Sequence, residues 1–195
     1  MFSTAKLIAL CCALLVYGGV TLSVRASDRD IRNDAWITRD AVTTKTGQVI
    51  PAGAYGIAYI DRPREVTLLH LRGRAGQGRI ILRGAHPGDC FEFATRFVAG
   101  DFGGDDVSGG LARPVRIVLK SRRVAKALAQ GDAVVSDMYR VSATDDDAAD
   151  ILLGSGLDEG FGFVVNPGRN LTPNIFGPWK TTIPCAVQPE PASAG

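Results

Sequence analysis

The chain has 195 residues, 46% of them hydrophobic and 22% charged, with 22 basic side chains, 20 acidic ones and two histidines. That length fits one domain with a short appended end, and the composition excludes a disordered tail and a multi-span membrane protein. Residues 1–26 carry Lys6 and Arg25 and no acid, so without them the balance is 20 against 20. Overall charge then gives no case for nucleic-acid binding.

In chain order, Lys6 opens an apolar run over residues 7–24 that ends at Arg25 and the charged segment Asp28 to Asp34. Three readings stay open. A cleaved signal peptide would use Val24 and Ala26, three and one residues before a cut ahead of Ser27. A single retained membrane span is the second, because about 18 residues at helical rise nearly cross a hydrocarbon core. A buried helix of a soluble protein is the third. The expected organisation is a signal peptide or anchor over 1–26, a linker over 27–34, one β-rich domain over 35–187 and a frayed tail over 188–195. The domain is expected outside the cytoplasm: periplasmic, secreted or membrane-anchored.

Cysteine usage points the same way. Cys11 and Cys12 lie in the apolar run, which leaves Cys90 and Cys185 as an even pair. In an oxidising compartment these are expected to bond. The closed loop would span nearly a hundred residues, worth about 4 kcal/mol in the chain-entropy model.

Short strands are expected at Trp36 to Thr38, at Ala41 to Thr44 and at Ala54 to Ile60, with a turn at Asp61 to Arg64. Val66 to Leu71 is apolar on both faces and predicts a central strand. The glycines and arginines of Gly73 to Gly78 predict a hairpin loop leading into Arg79 to Leu82. Cys90 to Val98 alternates most clearly. Phe91, Phe93, Thr95 and Phe97 face one way toward a core, and Cys90 and Glu92 face the other. On that second face a C-terminal segment could reach Cys90. Gly100 to Gly110 predicts a loop, and Val115 to Leu119 a strand.

Ser121 to Gln130 carries a narrow apolar stripe of Val124, Ala127 and Leu128 and ends at Gly131, which predicts a helix. A second helix is expected over Asp145 to Leu153, with Thr144 as N-cap. Ala133 to Val135, Met138 to Val141 and Phe161 to Val165 predict extended segments. The prolines and glycines from Asn166 onward predict an irregular surface segment. The expected fold is therefore α+β: mostly antiparallel β, a small barrel or sandwich with one or two short helices, plus an N-terminal apolar helix.

Chemistry-bearing residues are few. Cys90 with His86 or His70 is the candidate pair for a thiolate nucleophile and its base, set against the competing disulfide and the absence of a side chain placed to orient the imidazole. Two histidines sixteen residues apart do not supply a zinc set with Asp89 or Glu92, so no metal and no cofactor are expected. The aspartates of Gly100 to Asp106 and Asp145 to Asp150 do not follow a calcium-loop pattern. Gly73 to Gly78 lacks the ending of a phosphate loop. Arg116, Lys120, Arg122 and Arg123 belong to a basic block over Arg113 to Lys126 that could bind an anionic surface or glycan, or contact the acidic stretch from Asp132 to Glu159. Asn170-Leu171-Thr172 fits a glycosylation sequon.

No stretch resembles a known family. The favoured expectation is an exported, non-enzymatic domain that binds a protein or envelope partner. An envelope hydrolase or transferase using Cys90 with a histidine is one alternative, and a binder of anionic surfaces or glycans is the other.

Overall fold

The computed structural model describes residues 41–168 and 180–187. The apolar run, the linker, the expected strand at Trp36 to Thr38, the sequon at Asn170 and the tail over 188–195 lie outside the described residues. Among those described, no helix is long and apolar enough to cross a membrane.

The spine is a long antiparallel hairpin of β5 (Leu71–Arg83) and β6 (Asp89–Asp101), paired from Arg72 opposite Asp101 to Arg83 opposite Cys90. Each strand is long enough to take two neighbours on its outer edge. Beside β5 run β4 (Arg64–Leu68) and β3 (Gly56–Ile60), and beside β6 run β12 (Gly162–Asn166) and β13 (Thr181–Val187). The sheet continues past β3 into β8 (Val115–Leu119), β11 (Ile151–Ser155) and β10 (Val141–Ser142). Past β13 come β1 (Val42–Thr44) and β2 (Val49–Ile50), past β12 comes β9 (Val134–Val135), and past β4 comes β7 (Val107–Leu111). The 13 strands of the described residues join one sheet, antiparallel except for β10 with β11.

The inner face of this sheet buries Ile80 and Leu82 of β5, Phe93 and Phe97 of β6, Ile117 and Leu119 of β8, and Phe163 and Val165 of β12. The helix α1 (Arg122–Ala129) lays Val124, Ala125 and Leu128 on it. Ser121 caps α1 by accepting the Val124 N–H at 3.3 Å, and Gly131 leaves it with φ of +83°, a conformation that favours glycine. On the outer face, at one end only, Ile57, Ile81, Cys90 and Val118 are covered by Val42, Ile50 and Cys185 of β1, β2 and β13. β3 and β8 are therefore buried on both faces, which is why they read as continuous apolar runs.

Four sequence expectations are corrected here. Gly73 to Gly78 is the middle of β5, not a hairpin loop. A Cβ at Gly76 would lie 2.7 Å from Ile60 Cγ2 and 3.1 Å from Pro63 Cα, so the glycine serves close approach and not chain reversal. The chain reverses instead at Leu69 and His70, so Val66 to Leu71 is an exposed hairpin and not a central strand. Gly100 to Gly110 is only partly loop, since β6 runs to Asp101 and β7 starts at Val107. Asp145 to Asp150 forms turns that feed β11 in place of a second helix. There the Asp146 carboxylate accepts the Ala148 N–H at 2.9 Å, a local bond that competes with helix formation.

Candidate functional site

Cys90 and Cys185 form a disulfide, with Cα atoms 5.9 Å apart, and Cys90 is fully buried. β13 pairs with β6 through Ile183 opposite Cys90 and pairs with β1 through Cys185 opposite Thr44, which brings the two sulfurs together on the outer face. A bonded sulfur is not a nucleophile. His86 lies in the turn between β5 and β6 with its ring 82% exposed, and its Nδ1 is 3.9 Å from Asp89. His70 sits exposed in the β4–β5 turn, at the other end of the spine. The structure thus separates His70 from the Cys90 region and leaves His86 beside an oxidised cysteine. Among the described residues, no three His, Cys, Asp or Glu side chains gather as metal ligands.

Three members of the basic block engage their own fold. Arg116 donates to the Val49 carbonyl at 2.6 Å. Lys120 donates to Asp145 at 2.8 Å and to the Asp146 carbonyl at 3.1 Å. The hydrogen bond to Asp145 raises the lysine pKa, outweighing the opposing effect of burial. Arg123 binds Asp150 at 2.9 Å and stacks on Tyr139 with 4.6 Å to the ring centre. Asp150 is held below its usual pKa. Burial works against this but is outweighed by hydrogen bonds from Ser121, the Arg140 backbone and Arg123. Arg122 is exposed on α1. The acidic stretch therefore engages Lys120 and Arg123 within the chain.

An open cleft of about 400 Å³ is lined by Gly78, Arg79, Glu92, Phe93, Ala94, Thr181 and Ile183. Arg79 in it pairs with Asp61 at 3.3 Å and with Glu92 at 3.8 Å.

The largest unexplained feature lies at the other end of the spine. Eight of the ten large apolar side chains exposed among the described residues are there. Val66, Leu68, Leu69 and Leu71 come from the β4–β5 hairpin and Val98 from β6, while Phe102, Val107 and Leu111 come from the β6–β7 connection and β7. The register shows why those on the strands share one face. Val66 is opposite Gly73 and Gly109, Leu68 is opposite Leu71 and Val107, and Ala75 is opposite Val98. Val66 is 58% and Phe102 92% exposed.

Polarity here is inverted relative to an ordinary half-buried sheet. In β4 the apolar Val66 and Leu68 face out while Thr67 is buried and Glu65 half-buried. On the inner side Glu65 pairs with Arg74, and Arg72 grips Asp101 in a two-point bond of 3.1 and 2.5 Å. The bond to Asp101 raises the Arg72 pKa. Both guanidiniums lie over the buried Phe161 ring, at 4.6 and 4.7 Å. These contacts fix the arm in place, so its apolar outer face is held open and does not collapse inward. Arg64 and Arg96 stand exposed on the same face, and Arg62 and Arg113 lie exposed beside it, without ion pairs among the described residues. Asp105 and Asp106 are exposed at the opposite, Phe102 end.

Reading the sequence missed this surface, although the signal was present: Glu65-Val66-Thr67-Leu68 alternates polar with apolar, and Val107 and Leu111 sit at even spacing around small residues. Comparison with family models, with curated proteins and with solved structures finds no match to this chain.

Proposed function

We propose that the chain is an exported, non-enzymatic docking domain that binds a protein or envelope partner through the apolar outer face of β7, β4, β5 and β6. The observation that carries this is the inverted polarity of the arm, with polar groups mutually satisfied inside and aliphatic side chains in water. Eight large apolar side chains, each more than half exposed and gathered at one end of the sheet, form an apolar patch of the kind that marks an interaction site. Such a surface is stable in solution only at a cost that a partner removes. Export is supported by the apolar run over 7–24 and by the disulfide, which fits an oxidising compartment. The bonded state of Cys90 weighs against a cysteine hydrolase.

The test is photocrosslinking in the cells that make the protein, with a benzophenone amino acid placed at Val98 on the outer face or at Lys126 on the exposed side of α1. A discrete protein adduct from Val98 and none from Lys126 is expected. Adducts from neither position, or equally from both, would overturn the proposal.

A further inference from the structure

We infer that the occupant of this face is a second copy of the chain, stacked face to face about a two-fold axis; the inference rests on the docking reading above. Three observations carry it. The first is area. Eight large apolar side chains, each more than half exposed, gather on and around four neighbouring strands, an apolar face of the kind that interfaces between subunits bury. The second is shape. Gly73, Gly100 and Gly109 face outward in register with Val66, so the middle of the patch is low, and two sheets can approach to the usual spacing of about 10 Å.

The third is the arrangement of charge. One end of the patch carries the exposed Arg64 and Arg96, with Arg62 and Arg113 beside them, and the other carries the exposed Asp105 and Asp106. Asp106 is tied to that end, since its carbonyl accepts the Leu69 N–H at 2.8 Å and its carboxylate accepts the Ser108 hydroxyl at 3.2 Å. Arg64 stands two residues from Val66, and Leu69 three residues on the other side, so these lie roughly 7–10 Å from the middle, with Arg96 farther out, opposite Gln77. A two-fold axis lying between the two faces and running across the strands therefore sets the acidic end of each copy over the basic end of the other. A self-complementary surface of this kind is what an isologous interface requires.

The experiment is sedimentation velocity on the protein purified from the cells that make it, from about 1 to about 100 µM, a range that brackets a micromolar dissociation constant. A monomer–dimer equilibrium is expected for the native chain, and a monomer throughout for Leu68→Lys. Arg64→Glu with Arg96→Glu, and separately Asp105→Lys with Asp106→Lys, should each weaken dimerisation at least about tenfold. An equimolar mixture of these two charge variants should recover it, because every altered contact then meets its opposite. All four positions are exposed, so unchanged urea midpoints at low concentration will show that each variant folds.

A native chain that stays monomeric overturns the inference, as does a dimer insensitive to Leu68→Lys or a mixture that does not recover. Adducts separate the two proposals. A Val98 adduct to a different protein with a monomeric native chain leaves the docking reading standing and removes this one, whereas no adduct at all removes both.

Discussion

Arg83 shows how one side chain organises a turn. It is buried on the outer face beside the disulfide, its Nε donates to the Ala54 carbonyl at 2.8 Å, and its Nη2 reaches the Pro51 carbonyl at 2.8 Å. The fork thus closes the β2–β3 turn onto the sheet, a geometry that an ammonium group does not reproduce. Arg83→Leu should cost roughly 2–3 kcal/mol, since buried carbonyls lose charged donors. Arg83→Lys should recover only part of it, as read from urea midpoints. Asp150 gives a pH signature. Its folded pKa lies below the usual 3.8, so its stabilising effect is present above that value and fades as pH falls through the lower, folded pKa. The stability gap between the native chain and Asp150→Asn should therefore be flat near neutrality and shrink in acid. Lys120 has the opposite sign: its pKa is raised above 10.5, so the gap to Lys120→Met should hold below that and shrink at more alkaline pH. A gap that does not change with pH would count against either pairing.

Among elements, β5 is the most informative, because it changes character along its length. From Ile80 to Arg83 it is buried on both faces, while from Leu71 to Gln77 it alternates between exposed and half-buried positions. Glycine at 76 and 78 is needed where the β3–β4 turn folds over the strand, and side chains return once that turn has passed. Gly76→Ala should destabilise the fold by about 1–3 kcal/mol by overpacking against Ile60 and Pro63. Gly73→Ala, where a Cβ has only the Ala99 carbonyl at 3.9 Å, should be tolerated. Comparing the two denaturation midpoints checks the assignment of this stretch to a strand, since a solvent-exposed loop would tolerate both. Leu69 is the one non-glycine residue with positive φ, at 53°, among those described, and it is apolar and exposed. A left-handed leucine at a turn tip is disfavoured by local sterics, which fits a position kept for contact with a partner.

At the scale of the whole molecule, the sheet has two regimes. One end is covered on both faces and stapled by Cys90 and Cys185, while the other carries the open apolar arm. The staple joins residues 95 apart in sequence. Replacing both cysteines by serine should lower stability by roughly 2–5 kcal/mol. The loss should concentrate in β1, β2 and β13, seen as faster amide exchange there while α1 and β8 stay protected. Reductant should move the native chain toward the same midpoint, and a midpoint indifferent to reductant would show that the bond does not hold the C-terminal strand.

The sequence by itself determined the β-rich character, the helix that starts near Ser121 and ends at Gly131, the strand at Cys90 and the pairing of Cys90 with Cys185. Each of these follows from local periodicity, capping chemistry or the arithmetic of two cysteines. Only the tertiary structure decided which apolar faces are covered. Val66 and Leu68 look like core residues, and Gly73 to Gly78 looks like a turn, because burial depends on which strands lie across from them. It also joined Lys120 and Arg123 to acids more than 20 residues away, while Arg64 and Arg96 stand exposed on the apolar face. The inverted arm is visible only once strand register shows that its polar side chains satisfy one another on the inner face.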